Sequence, residues 1–342
     1  MCIAIWSSDR LLRLARVAYL GLIPRFTKGV KATATYDASA DIIRLDVTAL
    51  VPKKPIRPGQ YYYLYAAGGI ESYQSHPFTL CSWRKPTSTT TTPLSSLSKT
   101  EDAKGPVSLP SLSITSTETG KTTSTQQTLL IRPYKGLTAS LKKRLTPFPK
   151  DITVLLEGPY GPTLDLSSFS DLLFLAGGSG ITPAVSHLTH LLPSRKTNVH
   201  VVWAAQTTDL VENVCENELA AALRDPGFRL TVYATRWGGV ADAAATLDSS
   251  LSSVVDSPGN AEDTEKEKVK SKATGSSYPV LRGRPDLTFA IRDARKNCTR
   301  NLAVVVCGPP RMADACRKRV VEVLGDEGAG PEVEFFNEAM GW

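Results

Sequence analysis

No apolar run in this 342-residue chain reaches the roughly 18–20 residues that a membrane-crossing helix needs. None of its six cysteines (Cys2, Cys81, Cys215, Cys298, Cys307, Cys316) forms a C-x-x-C pair. That spacing offers neither a zinc site nor a disulfide framework, and it points to a reducing compartment. No Lys/Arg run interleaved with aromatics builds a binding stripe, so the net charge of +7 is not read as affinity for nucleic acid. The N-terminal segment is a poor match to a secretory leader, because its arginines sit inside the apolar stretch and not before it. What remains is ordinary globular composition, 42% hydrophobic and 21% charged, at a length suited to two domains.

The N-terminal residues 1–26 are apolar, with Arg10, Arg13, Arg16 and Arg25 interspersed. Arg10 and Arg13 segregate from Leu14, Ala15, Val17 and Ala18 at helical spacing, which predicts an amphipathic basic helix. Two readings stand. Such a helix can lie on an anionic membrane surface, or it can pack on its own domain as an ordinary surface helix.

Six strand-like runs follow: Val30–Tyr36, Ile42–Ala49, Gln60–Ala66, Phe78–Trp83, Thr128–Arg132 and Ile152–Glu157. Turn residues such as Pro52, Pro55, Pro58-Gly59 and Gly68-Gly69 separate them. Six short strands predict a small antiparallel barrel over residues 27–165. Inside it, about residues 85–127 are rich in Ser, Thr and Pro, a composition that cannot bury enough apolar surface to offset its ordering entropy. This stretch is expected to be a disordered linker-like insertion. From about residue 170 to 342 the pattern changes. Strand-like Leu172–Ala176, Val199–Ala204, Arg229–Thr235, Leu302–Cys307 and Glu332–Phe336 alternate with helical Ala184–Leu192, Val211–Arg224 and Arg311–Leu324. That alternation predicts βαβ units and a parallel sheet covered on both faces. A second polar insertion spans about residues 249–285 and includes the mixed-charge run Glu262–Lys272.

Four segments carry chemistry. In Leu175-Ala176-Gly177-Gly178-Ser179-Gly180-Ile181-Thr182-Pro183, an apolar strand runs into three glycines within four residues and then into a helix start. Thr182 suits an N-cap and Pro183 the first helical position. The N–H groups of such a helix end favour an anion, for example a pyrophosphate. His76-Pro77-Phe78-Thr79 reads either as a rigid corner that displays an aromatic and two polar groups or as a buried strand start with a capped turn. Leu130-Ile131-Arg132-Pro133-Tyr134-Lys135-Gly136-Leu137-Thr138 ends a strand on a planar guanidinium fork suited to phosphate, and Gly136 precedes a short helix. Val304-Val305-Val306-Cys307-Gly308-Pro309-Pro310 puts Cys307 at the carboxyl edge of a parallel sheet, where ligands bind in such folds. A fifth segment, Glu157-Gly158-Pro159-Tyr160-Gly161-Pro162, makes a stiff turn between the two predicted domains.

In this order the segments resemble the dehydrogenase half of the ferric reductase and NADPH oxidase superfamily, related to the ferredoxin reductases, with the nearest likeness to fungal ferric-chelate reductases. The resemblance spans about Trp6 to Trp342 apart from the two insertions, and Tyr73-Gln74-Ser75-His76-Pro77-Phe78-Thr79 and the Gly-Gly-Ser-Gly turn are its most specific parts. It implies an antiparallel six-stranded FAD-binding barrel followed by a parallel-sheet NAD(P)H-binding domain. His76, Pro77, Phe78 and Thr79 then match the flavin-holding motif, and Arg132, Gly136 and Thr138 match the FAD pyrophosphate motif. Gly177, Gly178, Ser179, Gly180, Ile181 and Thr182 match the pyridine-nucleotide pyrophosphate turn, and Cys307, Gly308 and Pro309 match the segment near the nicotinamide. Thr79 and Cys307 are the residues implied to touch the redox rings. The family often ends in an aromatic that covers the flavin, here Trp342 or, as second choice, Phe336. Trp6, Asp9, Arg10, Arg13 and Arg16 look like the stretch that follows the last membrane helix in that family.

Three departures qualify the likeness. Leu137 stands where the family often has Trp. Gln206 stands where relatives often place a cation for the 2′-phosphate of NADP, a role open to Arg236 or Arg311, so NADH is an alternative to NADPH. The family's membrane helices and paired haem histidines are absent from this sequence, and His187 and His190 fall in a predicted soluble helix as core or surface residues. The resemblance implies electron flow from NAD(P)H through FAD to a one-electron acceptor, a haem in a membrane half or a ferric chelate, at a membrane with the nucleotide-binding part in the cytosol. A soluble NAD(P)H diaphorase of the cytochrome-reductase type and a non-catalytic nucleotide-binding remnant are the alternatives. No metal site and no nucleic-acid partner are expected.

Overall fold

The structure is a computed structural model that describes residues 4–12, 15, 30–50, 55–66, 75–84, 124–192, 197–236, 278–326 and 330–338. Tyr73, Gln74, Arg13, Arg16, Arg25 and Trp342, together with most of both predicted insertions, lie outside the described residues. Residues 4–12 are helical, with the Arg10 guanidinium 5.4 Å from the Trp6 ring centroid.

Six antiparallel strands close into a barrel in the order β1-β2-β5-β4-β3-β6. They are β1 Val30–Asp37, β2 Ile42–Leu50, β3 Tyr61–Ala66, β4 His76–Arg84, β5 Ser124–Ile131 and β6 Lys150–Tyr160. Alternate residues point inward, as the strand period of two requires. Ala32 and Ala34 from β1, Ile43, Leu45 and Val47 from β2, and Leu129 and Ile131 from β5 fill the interior. β5 begins four residues before the predicted strand, inside the stretch read as an insertion. Its first residues are polar, yet Thr125 and Gln127 are buried and their backbone pairs with β2. Helix α1, Leu137–Leu145, follows β5 and buries Leu141 and Leu145 against the barrel.

The second unit is a six-stranded parallel sheet in the order β10-β9-β8-β7-β11-β12. Its strands are β7 Asp171–Gly177, β8 Asn198–Ala205, β9 Phe228–Ala234, β10 Val280–Arg282, β11 Asn301–Cys307 and β12 Glu332–Asn337. The helices are α2 Ile181–Leu191, α3 Thr208–Asn217, α4 Leu287–Lys296 and α5 Pro310–Asp326. β7 is buried on both faces: Leu172, Phe174 and Ala176 pack into one core, Leu173 and Leu175 into the other. That explains its unbroken apolar sequence. The first of these cores also takes in Ala40, Ile42, Cys81 and Leu130 from the barrel, so the two units share one apolar seam.

Three elements differ from the sequence reading. α3 ends at Asn217 and a separate 3-10 turn spans Ala222–Arg224, where a single helix over 211–224 was predicted. The Asn217 side-chain amide donates to the Asn213 carbonyl, competing with the backbone ladder at that end. β10 lies within the stretch read as a second insertion, and α4 follows it with Asp286 accepting from the Phe289 N–H as an N-cap. α2 begins at Ile181 on a Gly180 cap, so Thr182 and Pro183 are its second and third residues and Thr182 is not the cap.

One half-buried group gives the fold a pH signature. The Arg229 guanidinium lies 2.9 Å from His200 Nδ1 and 3.0 Å from Asp293, and His200 Nε2 is 3.0 Å from Thr231 Oγ1. A guanidinium only donates, so Nδ1 must accept and the ring is neutral with its proton on Nε2. Burial first, and then the Arg229 charge, pull the His200 pKa from 6.5 down to about 4. Between those values the unfolded chain binds more protons than the folded one, so stability falls as pH drops from about 6.5 towards 4. Denaturant titrations across that window are expected to lose stability on acidification, and His200→Gln is expected to flatten the slope.

Candidate functional site

The ligand crevice of an open parallel sheet lies at the carboxyl ends of the strands where the strand order reverses. Here that point is between β7 and β11, whose ends are Gly177 and Cys307. Gly180 sits there in ordinary right-handed geometry (φ −64°, ψ 0°), so it is not needed for its backbone freedom. It is needed for closeness: a Cβ at this position would lie 2.2 Å from the Cys307 carbonyl oxygen and 2.7 Å from its carbon. A Cβ at Gly177 would crowd only side-chain atoms, Pro309 Cδ at 3.1 Å and Met312 Sδ at 3.0 Å, a tighter fit than usual but no backbone clash. Gly178 does need glycine's freedom, with φ at +57°. Trp203 Nε1 donates to the Gly178 carbonyl at 2.9 Å and Thr182 Oγ1 donates to the Ser179 carbonyl at 2.8 Å, which fix the turn from below. No side chain caps the start of α2; the Ile181 N–H is taken by the Gly178 and Ser179 carbonyls, so an anion here would meet the N–H groups that follow it.

The barrel brings its own residues to this crevice. Arg132, one residue past β5, is exposed and donates through Nη2 to Gln206 Oε1 at 2.7 Å, just beyond the end of β8. A Cβ at Gly178 would be 3.7 Å from Arg132 Nη1, so the guanidinium stands over the glycine turn. Gly136 caps α1 at φ +62° and ψ −129°, again a glycine conformation. Thr138 is buried; its hydroxyl accepts from the Tyr134 N–H at 2.9 Å and lies 3.3 Å from the Lys135 carbonyl. It therefore rigidifies the loop after Arg132 from within. At the start of β4, His76 is exposed, Pro77 and Phe78 are half-buried and Thr79 is buried. Thr79 pairs with Tyr61, and Tyr61, Tyr63 and Tyr160 cluster with ring centroids 5.8–6.0 Å apart. Glu157 accepts from the hydroxyls of Tyr65 and Tyr160 at 2.8 and 2.7 Å.

Cys307 is fully buried, and burial, with the nearby Glu338 carboxylate, pushes its thiol well above the usual range. It is a neutral thiol at physiological pH, which makes it a poor nucleophile. Glu338 was not singled out by the sequence. Its N–H donates to the Val306 carbonyl, and its Oε1 lies 3.2 Å from Nε2 of the buried His187. Its Oε2 is buried with no hydrogen-bond partner among the described residues. Gly59, at φ +76°, approaches both, and its N–H donates to Ser186 Oγ at 3.3 Å. An orphaned acceptor beside Cys307 fits a ligand that carries a donor. The second-choice aromatic, Phe336, is half-buried and packs edge-on against Phe169 at 5.8 Å. Gln206 follows the last residue of β8, and the Arg236 N–H donates to its carbonyl at 2.9 Å.

The structure therefore brings Gly177–Thr182, Cys307–Pro309 and Arg132 to one crevice, with the Gly59 loop and Glu338 at its inner wall. His76–Thr79 occupies the start of β4, and β4 packs against α2. A turn with no room for a side chain at Gly180, a helix start without a side-chain cap and a guanidinium above them suit a phosphate-bearing dinucleotide.

Comparison with known proteins agrees. Residues 169–321 match the ferric reductase NAD binding domain family. The "Ferric/cupric reductase transmembrane component 2" of Saccharomyces cerevisiae is 26% identical over 352 aligned residues, covering 99% of this chain and 42% of that protein. The "Ferric reductase transmembrane component 3" of the same yeast is 24% identical, again over 99% of this chain and 42% of its own length. The chain thus spans about two-fifths of the curated relatives it matches. Among solved structures, a ferredoxin NADP+ reductase from Neisseria gonorrhoeae with bound FAD and NADP aligns with TM-score 0.50 at 15% identity, covering 90% of this chain and 98% of that one. At that identity the likeness speaks to the fold, which is ferredoxin-reductase-like.

Proposed function

From a chain homologous to the fungal ferric reductases, with a ferric reductase NAD binding domain at residues 169–321, we propose a flavin-dependent oxidoreductase module. It moves electrons from NADPH, with NADH as the alternative donor, through FAD to a one-electron acceptor. The setting we propose is a membrane ferric reductase that reduces ferric chelates, with this part facing the cytosol. Held there, FAD would supply the conversion of hydride transfer into single-electron release. Everything else falls to the chain's own residues. The observation that carries the reading is the meeting of barrel and sheet at one switch point: Arg132 over Gly178, and Gly180 against Cys307.

In this reading Arg132 and the N–H groups around Gly136 hold the flavin pyrophosphate. His76, Pro77, Phe78 and Thr79 present a rigid edge to the flavin ring. Gly177–Thr182 and the start of α2 hold the pyrophosphate of the pyridine nucleotide. Cys307, Gly308 and Pro309 floor the nicotinamide pocket, and the orphaned Glu338 Oε2 accepts from a donor on the bound ligand. No general acid or base is assigned, since alignment of two rings and exclusion of water are the protein's contribution. The exposed Ile5, Trp6, Leu11 and Leu12 beside Arg10 support contact of residues 1–26 with a membrane surface.

The test is to purify the chain with FAD and follow NADPH oxidation with ferricyanide as acceptor, with NADH in parallel. We expect flavin retention and turnover, with NADPH preferred if Arg236 or Arg311 supplies the missing cation. A chain that retains no flavin and turns over neither nucleotide would sink the reading.

A further inference from the structure

Far from the crevice in sequence, a closed polar contact joins the barrel to the sheet unit. Arg44, on β2, forms a two-pronged ion pair with Glu218, the residue after α3. Nη1 contacts Oε1, and Nη2 donates to Oε2 at 2.9 Å. The side chains are 18% and 4% exposed, so this is a buried pair. Arg44 Nη2 also lies 3.2 Å from Asn213 Oδ1, and Asn213 Nδ2 donates to Asp37 Oδ2 at 2.9 Å. The other oxygen of Asp37 accepts from the N–H groups of Ser39 and Ala40 and from the Ser39 hydroxyl. Two residues from each unit therefore interlock: Asp37 and Arg44 from the barrel, Asn213 and Glu218 from the sheet unit. They border the apolar seam that contains Ala40, Ile42, Cys81 and Leu130.

An apolar seam is nondirectional and tolerates sliding, whereas a planar guanidinium on a carboxylate fixes angle as well as distance. α3 follows β8, whose end positions Gln206, the partner of Arg132. β2 pairs with β5, whose end positions Arg132. The two elements that lead to the crevice are thus the ones this contact ties together. We propose that Arg44 and Glu218, held by Asn213 and Asp37, are positioning residues that set the orientation of the barrel on the sheet unit and so the approach of the nicotinamide to the flavin.

This inference rests on the proposed function for its rate readout, but its structural readout does not. The FAD-loaded chain and its Arg44→Ala and Glu218→Gln variants are compared by three measurements: affinity for FAD and NADP+, the rate of flavin reduction by NADPH, and amide hydrogen exchange. We expect unchanged nucleotide affinities. We expect flavin reduction slower by about tenfold to a hundredfold, the cost of misplacing reacting groups by about an ångström. We also expect faster exchange at 37–44 and 208–218 with no change within β7, β11 and the rest of the barrel. Arg44→Lys, which keeps the charge but loses the fork, is expected to fall between. Unchanged exchange at 37–44 and 208–218 in both variants would overturn the proposal. So would exchange rising throughout the barrel together with loss of FAD, which would mark a folding role. If the parent chain binds FAD and is reduced by neither nucleotide, the functional reading fails, and the exchange pattern still decides whether the contact sets orientation.

Discussion

Gly180→Ala is expected to lower stability by about 1–3 kcal/mol or more and to weaken NADP+ binding on the order of tenfold. The reason is a single close approach. A methyl at this position would stand 2.2 Å from the Cys307 carbonyl oxygen, and the obstacle is backbone, not the end of a flexible side chain. Relief requires the turn after β7 to move away from the end of β11, and that gap is the floor of the crevice. Neighbouring positions have little slack to share the shift. Gly177 is packed on Met312 and Pro309, and the Gly178 carbonyl is held by Trp203. Gly325, near the end of α5, has nothing within 4 Å of an added Cβ. Gly325→Ala is therefore the control and should be neutral or slightly stabilising. Thermal melts and NADP+ titrations of the two variants would separate a local clash from a general intolerance of alanine.

Arg132→Ala is expected to weaken FAD binding by about one to two orders of magnitude, the usual loss for a charge-assisted hydrogen bond to phosphate. The position makes the result diagnostic. Arg132 leaves the barrel, yet it bonds Gln206 and overhangs Gly178, both in the sheet unit. Separate titrations with FAD and NADP+ assign the guanidinium. A loss confined to FAD supports the flavin pyrophosphate role. A loss confined to NADP+ would move Arg132 to the second nucleotide. Gln206→Ala, which removes only the partner, is expected to have the smaller effect on FAD.

Much of this architecture is legible in the residues because each local preference agrees with the fold. The β7 run from Leu172 to Ala176 reads as a strand buried on both faces, and its side chains do alternate between two cores. Pro133 to Gly136 reads as a loop before a short helix, and Gly136 caps it. Two strands were less visible for opposite reasons. β5 starts with Ser124, Thr125, Gln126 and Gln127, whose polar side chains conceal a segment held by backbone pairing to β2. β10 is only three residues long, so it has no period to detect. α4 did leave a signal. Leu287, Ala290, Ile291 and Ala294 recur at helical spacing after Asp286, an available N-cap, beyond a polar stretch that drew the reading past it.

The site divides the same way. Glycines that must be glycine stand out in sequence, and Gly178 and Gly180 are such glycines for two distinct reasons, a positive φ at the first and closeness to backbone at the second. Contacts between residues distant in sequence leave no local mark. The pairing of His187 with Glu338 spans 151 positions and that of Arg44 with Glu218 spans 174, and neither follows from a motif. His187 was read as a core or surface histidine, and it is buried as the partner of the carboxylate that borders Cys307.

The central claim is that this chain aligns a nicotinamide with a flavin at the β7–β11 switch point. It is tested most directly by mixing the FAD-loaded chain with NADPH in the absence of oxygen and following the flavin absorbance through a single turnover. The account predicts saturable bleaching of the flavin as NADPH is raised, slowed in Gly180→Ala. A chain that holds FAD while its flavin stays oxidised in excess NADPH and in excess NADH would contradict it, and would leave a nucleotide-binding fold without the redox step.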